Sequence, residues 1–260
     1  MKKLFVLLTG FLMFSCSSDG SQETPPPFIL EASASSAAVN VDQEFTITIK
    51  SDKFMTGIYY SFDNFVTEAA KFSDFGNSAT LKFNLDKLGT TAIYFKALSQ
   101  EENFSTVKVV YITVNRGDAI KITGMQILSF DGINTSWDAE YPTSDINHLA
   151  DVIFSYSKYK LNNPFENGFY RFTTWYTSIV KQNQENLTWS FANENLYIKP
   201  ENSIRLDITD VDNPPLGQSL MQNDYRDFNF INYTTTKPNN ITFSYPELNL
   251  EFIVMVEWPN

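Results

Sequence analysis

Four aspartates in two short segments are the side chains of this chain best placed to perform chemistry together. Asp210 and Asp212 follow an apolar alternating strand with the same parity, so both carboxylates should project to one side of its end. Asp145 and Asp151 lie six residues apart, just before another apolar run. Carboxylates held this close repel each other unless a cation lies between them, and calcium prefers oxygen ligands on flexible loops. We therefore predict a calcium site formed by these four aspartates, with Asp138 as a reserve ligand.

The same aspartates have a second interpretation that involves no metal. Aspartate is common in turns because its side chain can accept hydrogen bonds from nearby backbone N–H groups. Under this interpretation the two acidic segments are turns between strands and hold no ion. The sequence leaves both alternatives open.

No other set of side chains indicates catalysis. His148 is the only histidine, which excludes a zinc site made of several histidines, and the chain has no Gly-x-Ser-x-Gly nucleophile motif. Paired carboxylates could support glycoside hydrolysis, but no pair stands out among the thirty acidic residues. We therefore predict a protein that is not an enzyme, and a carboxylate-dependent glycosidase ranks third among the candidate functions.

Aromatic residues, 15% of the chain, offer a second kind of binding site. They alternate along residues 169–176, so one set must face the core and the other set the opposite side of a strand. If the second set is exposed, it would join Trp137 and Tyr141 in a platform on which sugar rings could stack. A carbohydrate-binding accessory protein is therefore the alternative function. Packing of both sets into the core is the competing interpretation.

The elements that must position these side chains are β-strands. Apolar Phe45, Ile47 and Ile49 alternate with polar residues, which is the pattern of a half-buried strand. Comparable runs recur along the chain, for example at residues 58–62 and 228–233. Turn-rich segments such as residues 74–77 separate the runs, and no helical periodicity accompanies them. The predicted fold class is all-β, with two consecutive β-sandwich domains at residues 28–115 and 119–260.

Two family resemblances refine this architecture. Residues 28–115 resemble the immunoglobulin-like modules of bacterial surface lipoproteins, through their pattern of six or seven short strands. Residues 119–260 resemble the C-two domain, a β-sandwich that binds calcium and, in many members, phospholipid. The second resemblance implies that acidic loops at one end of the sandwich hold the metal.

The C-two-like resemblance rests on the two acidic loops. In that family two aspartates lie six residues apart before a strand, like Asp145 and Asp151. Another loop has the form Asp-x-Asp after an apolar strand, like Asp210 and Asp212. The family usually carries a further aspartate where this chain has Gln218, so the resemblance implies weaker calcium binding here.

The first residues predict export and a lipid anchor. Residues 1–15 combine Lys2 and Lys3 with an apolar run too short to span a bilayer, as in a signal peptide. The dipeptide Ser15-Cys16 at its end resembles the lipobox of Bacteroidetes-type outer-membrane lipoproteins, and residues 16–27 form a polar tether with three prolines. The resemblance implies a lipid on Cys16 and attachment to the bacterial outer membrane, facing either the cell surface or the periplasm.

The net charge of the chain limits the classes of partner that it can bind. The formal net charge is −11, and loss of the signal peptide with its two lysines would make it −13, which argues against nucleic acid. Residues 116–260 contain eighteen acidic and ten basic side chains, so a cation is the natural partner there. The leading prediction is a membrane-anchored cell-surface lipoprotein that binds or scaffolds without catalysis, with calcium ordering the acidic loops. Its further partner would be a surface protein or a glycan.

Overall fold

The computed structural model describes residues 27–161, 172–211, 217–221 and 225–259, which form strands, turns and short 3-10 helices. Within these ranges there is no α-helix, and the predicted all-β fold class is confirmed. The strands of the described residues are β1 (Leu30–Ala34), β2 (Ala38–Asn40), β3 (Phe45–Ser61), β4 (Ala69–Phe83), β5 (Gly89–Ser99), β6 (Lys108–Asn115), β7 (Ile120–Ser129), β8 (Val152–Tyr159), β9 (Phe172–Thr177), β10 (Thr188–Ser190), β11 (Tyr197–Ile198), β12 (Ile204–Asp210), β13 (Gln218–Ser219), β14 (Arg226–Phe228), β15 (Asn240–Tyr245) and β16 (Leu250–Glu257). The 3-10 helices are Ile146–His148, Gln182–Gln184, Ile231–Tyr233 and Pro246–Leu248.

Strands β1 to β6 form the first sandwich around the long strand β3. This strand pairs antiparallel with β4 along both of its halves, with β1 at its first half and with β5 at its second half. Register shifts beside Met55 bend the two long strands, as β-bulges do. Buried side chains from both halves, such as Ile47 and Ile58, meet Ile112 of β6 in one core. All six strands belong to one hydrogen-bonded sheet, in the order β1-β3-β5-β6-β2 with β4 also paired to β3, and this sheet surrounds a single core.

The course of β3 and β4 differs from the strand boundaries that the sequence suggests. Residues 44–50 and 58–62 are predicted as two strands, but both belong to β3. Residues 74–77 are predicted as a turn, but they lie inside β4, where Gly76 has a φ of 64°. A glycine in the left-handed region can serve either a chain reversal or a bulge. Only the pairing with β3 selects the bulge.

Strands β7 to β16 form the second sandwich from two sheets. One sheet has the order β10-β7-β16-β15 with β11 also paired to β7, and the other has the order β13-β12-β8-β9 with β14 also paired to β12. Alternate residues of β8, β12 and β16 are buried, so each sheet directs one face toward a common core. Aromatic rings fill much of this core: Phe154 contacts Trp189 edge-on, and Phe243 stacks on Phe252. The prediction of a second β-sandwich is confirmed, whereas its C-two-like character stays a prediction.

The predicted strand at residues 228–233 is shorter in the structure. Strand β14 ends at Phe228, and a 3-10 helix follows at Ile231–Tyr233. The Asn229 Oδ1 atom accepts a hydrogen bond from the backbone N–H of Ile231, at 3.2 Å. This local bond competes with strand pairing, as asparagine side chains commonly do.

A buried set of charges joins the two sandwiches, and we call it the ion-pair cluster. The Lys158 Nζ atom lies 2.7 Å from Asp42 Oδ1 and 3.3 Å from Asp86 Oδ2, and Lys160 Nζ lies 2.8 Å from Asp86 Oδ1. Both aspartates belong to the first sandwich, whereas Lys158 lies near the end of β8 and Lys160 directly follows that strand. The side chains of Lys158 and Asp42 are 2% and 0% exposed. Two positive and two negative groups balance each other away from water.

Backbone-directed hydrogen bonds reinforce the same junction. The Asn84 side chain donates a hydrogen bond to the carbonyl oxygen of Tyr159 and accepts one from the backbone N–H of Leu161. It therefore pairs with the backbone at the end of β8 in the way that a neighbouring strand does. The Arg116 guanidinium spans the boundary as well, because it donates to the Glu257 carboxylate at 3.0 Å and to the Glu257 carbonyl oxygen at 2.7 Å.

Candidate functional sites

The structure brings together two of the four aspartates predicted to bind calcium. Strand β12 pairs with β8 so that Asp210 lies opposite Val152, next to Asp151. The backbone N–H of Asp151 donates to Asp210 Oδ1 at 2.6 Å, and the N–H of Val211 donates to the carbonyl oxygen of Asp151 at 2.9 Å. Asp210 is fully buried. One of its carboxylate oxygens therefore fixes the two strand ends to each other.

Asp145 is placed differently, because its carboxylate serves a local turn. Its Oδ1 atom accepts hydrogen bonds from the backbone N–H and the side-chain amide of Asn147, at 3.0 and 2.9 Å. In this way Asp145 caps the 3-10 helix Ile146–His148. The ring of His148 is held in the same turn by a hydrogen bond between its Nδ1 atom and the carbonyl oxygen of Asp145. This is the turn-forming role that the sequence left open beside calcium binding.

Carboxylates line a small depression next to these loops, which we call the acidic pocket. It has a volume of about 240 Å³. Its lining consists of Asp138, Glu140, Tyr141, Asn147, Asp151, Gln182, Asn183 and Val211. Asp151 Oδ1 accepts a hydrogen bond from the backbone N–H of Asn183 at 2.7 Å, and Asn183 has a left-handed φ of 53°. The reserve ligand Asp138 thus shares a pocket with Asp151, whereas Asp145 is not part of the lining.

The sequence prediction misses several lining residues of the acidic pocket, among them Glu140, Gln182 and Asn183. The run of polar residues at 182–186 carries a signal of its own, because asparagine tolerates the left-handed backbone that tight turns need. Among the residues that the structure describes, no group of three or more His, Cys, Asp or Glu side chains is arranged to hold a metal ion. Asp212 lies outside these residues, as does Cys16.

The predicted sugar platform near residues 169–176 is not formed by the residues that the structure describes there. Phe169 and Tyr170 lie outside them, and Trp175 and Tyr176 pack against the core of the second sandwich. Trp137 also packs against this core and donates its indole N–H to a backbone carbonyl oxygen. Trp175 and Tyr176 are adjacent and project to opposite faces of β9, and both are half-buried. The competing interpretation, core packing, accounts for their positions.

An exposed group of aromatic rings does exist, but it lies on the first sandwich. We call it the outer aromatic face, and it consists of Tyr59, Phe65, Phe72 and Phe104 around Lys96. Tyr59 contacts Phe72 and Phe104 edge-on, with ring centroids 5.6 and 5.4 Å apart. The Lys96 Nζ atom lies 4.4 to 5.2 Å from three ring centroids. Phe72 is 66% exposed and Phe104 46% exposed.

Strand register assembles this face from residues that are distant in sequence. Tyr59 of β3 lies opposite Lys96 of β5, and Phe72 of β4 lies opposite Gly57 of β3. A side chain at Gly57 would begin 3.1 Å from the Phe72 ring, so the glycine leaves the space that this ring covers. Phe104 arrives from the loop after β5. The parity of Tyr59 and Lys96 is visible in sequence, whereas the position of the other rings depends on pairing.

No helix within the described ranges is long and apolar enough to cross a bilayer. No protein-family model matches the chain, and no curated protein matches it either.

Solved structures do match parts of the chain, at low similarity. The PKD domain of an M14-like peptidase from a Thermoplasmatales archaeon is 15% identical over 36% of this chain and 99% of its own, with a TM-score of 0.31. The human OSCAR ligand-binding domain is 7% identical over 78% of this chain and 98% of its own, with a TM-score of 0.28. The fibronectin(III)-like modules of Clostridium thermocellum CbhA are 8% identical over 76% and 91%, with a TM-score of 0.25. Similarity at this level says nothing about function. The strand pairing itself defines the sandwich fold.

Proposed function

We propose that the protein is a lipid-anchored, non-catalytic binding module of the bacterial outer membrane, and that its outer aromatic face binds glycans. The anchor is Cys16, which follows the signal peptide of residues 1–15. The tether of residues 16–27 then separates the first sandwich from the membrane surface.

The exposed rings of the outer aromatic face carry the proposal. Large exposed apolar patches on folded domains mark interaction sites, because leaving them in water is unfavourable. The sugar rings of a glycan present C–H groups on one face and hydroxyl groups at the rim. Phe72 and Phe104 can stack against the former, and the Lys96 ammonium, which lies against the Phe104 ring, can donate hydrogen bonds to the latter.

The electrostatics of this face favour a polar, uncharged partner. Lys96 also forms an ion pair with Glu68, at 2.7 Å, so its positive charge is already balanced. An anionic partner would have to compete with this carboxylate. A neutral glycan would need no such exchange.

Retention of the protein by polysaccharides tests the glycan proposal. Full-length protein in detergent should be retained by at least one polysaccharide of a panel that includes cellulose, xylan, chitin and mannan. The Phe72→Ala/Phe104→Ala double variant should bind at least tenfold more weakly, because each stacked ring contributes roughly 1 kcal/mol. Tyr225→Ala removes an exposed ring of the second sandwich that belongs to neither candidate sugar site, and it serves as the matched control. Equal retention of the double variant, or no retention by any polysaccharide, would exclude glycan binding at this face.

Calcium binding is a second candidate function. The composition of the acidic pocket favours it, although its carboxylates are not arranged as a metal site in the described structure, so calcium would have to draw them together. Asp138, Glu140 and Asp151 face the same depression, and its remaining polar lining is made of amide side chains. No basic side chain is among the lining residues of this described pocket. Oxygen-rich, negatively charged pockets suit calcium, and extracellular modules bind it with dissociation constants of about 10⁻⁴ to 10⁻³ M.

Thermal unfolding with and without calcium tests this second candidate. A ligand present at about 100 times its dissociation constant stabilises a protein by about 2.7 kcal/mol. At a calcium concentration of about ten millimolar, the melting temperature should therefore rise by several degrees. The Asp138→Asn/Glu140→Gln variant should lose this rise while remaining folded, since both residues sit in loops. An unchanged melting temperature in the wild type would remove calcium from the function.

A further inference from the structure

A second cavity lies where the two sandwiches meet, and we call it the junction pocket. It has a volume of about 680 Å³, within the range of about 300 to 1,000 Å³ typical of small-molecule sites. The first sandwich contributes the end of β3, the start of β4 and the start of β5. The second sandwich contributes Lys160, just after β8, and Thr173 of β9. Cavities between domains are common ligand sites because two rigid walls can surround a ligand there.

The outer half of the ion-pair cluster forms the charged wall of the junction pocket. Lys160 and Asp86 line it as a donor and an acceptor whose atoms are 2.8 Å apart. Burial opposes ionisation of Asp86, but the ammonium groups of Lys158 and Lys160 outweigh this effect and lower its pKa to about 2. The carboxylate is therefore charged at neutral pH and holds the Lys160 ammonium in place.

The other walls combine the ring of Phe62 and that of the buried Tyr60 with hydroxyl groups. Phe62 follows β3 and is 43% exposed, so one face of its ring is accessible. Thr90 and Thr91 of β5 line the pocket, as does Thr173 across the junction. The charged lining residues are two acids and two bases, namely Glu68, Asp86, Lys87 and Lys160. The pocket therefore carries no net charge that would favour an ionic ligand.

We propose that the junction pocket binds a neutral mono- or disaccharide, with Phe62 against the apolar face of a sugar ring and the Lys160–Asp86 pair against two adjacent hydroxyl groups. Vicinal hydroxyl oxygens of a sugar are separated by nearly the same distance as the Lys160 Nζ and Asp86 Oδ1 atoms. One hydroxyl accepts from the ammonium and its neighbour donates to the carboxylate, so both polar partners stay satisfied. The site shares its ligand class with the proposed function, but none of the four rings of the outer aromatic face lines it; Glu68, which lines the junction pocket, pairs with Lys96 of that face.

Saturation-transfer NMR on the full-length protein tests this inference directly. The probes are methyl glycosides of common hexoses and their disaccharides at millimolar concentration. At least one should receive saturation from the wild-type protein, and Phe62→Ala should reduce its affinity at least fivefold. Thr173→Val replaces a hydroxyl by a methyl group of the same shape and should weaken binding from the other side of the junction. Both substitutions leave the ion-pair cluster intact, so the fold should be retained.

Two comparisons give this experiment its power. The Phe72→Ala/Phe104→Ala variant should bind the small saccharides as the wild type does, because its lost rings do not line the junction pocket. If small saccharides bind and polysaccharides do not, the junction-pocket inference holds and the proposed glycan binding by the outer aromatic face is refuted. Absence of saturation transfer to every glycoside, or unchanged affinity in Phe62→Ala, would overturn it. Preferential binding of succinate or a dipeptide would overturn the choice of a neutral ligand.

Discussion

Replacement of Lys158 by methionine should destabilise the protein more than any surface charge substitution. Methionine retains most of the side-chain volume but removes the ammonium that contacts Asp42 and Asp86. Asp86 keeps its partner Lys160. Asp42 is fully buried and keeps, among the described residues, only a long hydrogen bond from the backbone N–H of Lys199 at 3.4 Å. The variant therefore leaves one buried carboxylate without its ion pair.

The size of this effect follows from that single carboxylate. Removal of one partner of a buried ion pair typically costs about 3–5 kcal/mol. We expect the lower end, about 3 kcal/mol, because Lys160 still attracts the Asp42 charge from a greater distance. For a chain of this size, that corresponds to a fall of about 10 °C in melting temperature.

Urea unfolding followed by tryptophan fluorescence measures the change, since the Trp175 ring lies 4.5 Å from Lys158 Nζ. The Lys158→Met/Asp42→Asn double variant should recover part of the stability, because it no longer buries an unpaired charge. Lys53→Met is the matched control: its exposed ion pair with Glu101 should contribute no more than about 1 kcal/mol. A loss below about 1 kcal/mol in Lys158→Met, or a double variant no more stable than the single one, would refute the reasoning.

Three further predictions address the anchor, the pH dependence and the outer aromatic face. Cys16→Ser should leave both sandwiches folded but release the protein from the membrane fraction, and its retention there would contradict lipid anchoring. The pKa of Asp86 is about 2 in the folded protein against an ordinary value of 3.8. Its stabilising effect is therefore complete above pH 3.8 and is lost as the pH falls toward 2. Asp86→Asn should be less stable than the wild type by about 2 kcal/mol at pH 7, and the two unfolding curves should converge near pH 2; a constant difference would contradict this. Gly57→Val should displace the Phe72 ring and weaken polysaccharide retention, and unchanged retention would show that the ring position is not needed.

The acidic loops show how far sequence reasoning reaches into the candidate site. Parity along β12 and the spacing before β8 predict that Asp210 and Asp151 approach each other, and the strand pairing brings them into contact. The pattern does not reveal that Asp145 is occupied by its own turn. Nor does it reveal Glu140 and Asn183, because loop residues reach the pocket through the path of the chain and not through periodicity.

Sequence by itself determined the fold class, since alternation of apolar and polar residues with period two specifies half-buried strands and excludes amphipathic helices. It also predicted a core face for each strand, as the buried Phe252, Val254 and Val256 of β16 illustrate. Alternation is a local property of each strand. A shift of one residue would turn every apolar side chain to the opposite face of the sheet, so the face that each strand buries is determined by its sequence.

Tertiary structure alone decided which surfaces lie open and which charges are buried. The outer aromatic face needs the register of β3 against β4 and β5, and the junction pocket needs the approach of two sandwiches. In the sequence Lys158 looks like an ordinary lysine at the end of a strand. In the structure its side chain is 2% exposed and paired with Asp42, which lies 116 residues earlier in the chain. Long-range contacts of this kind are set by the packing of whole sheets, and no local pattern encodes them.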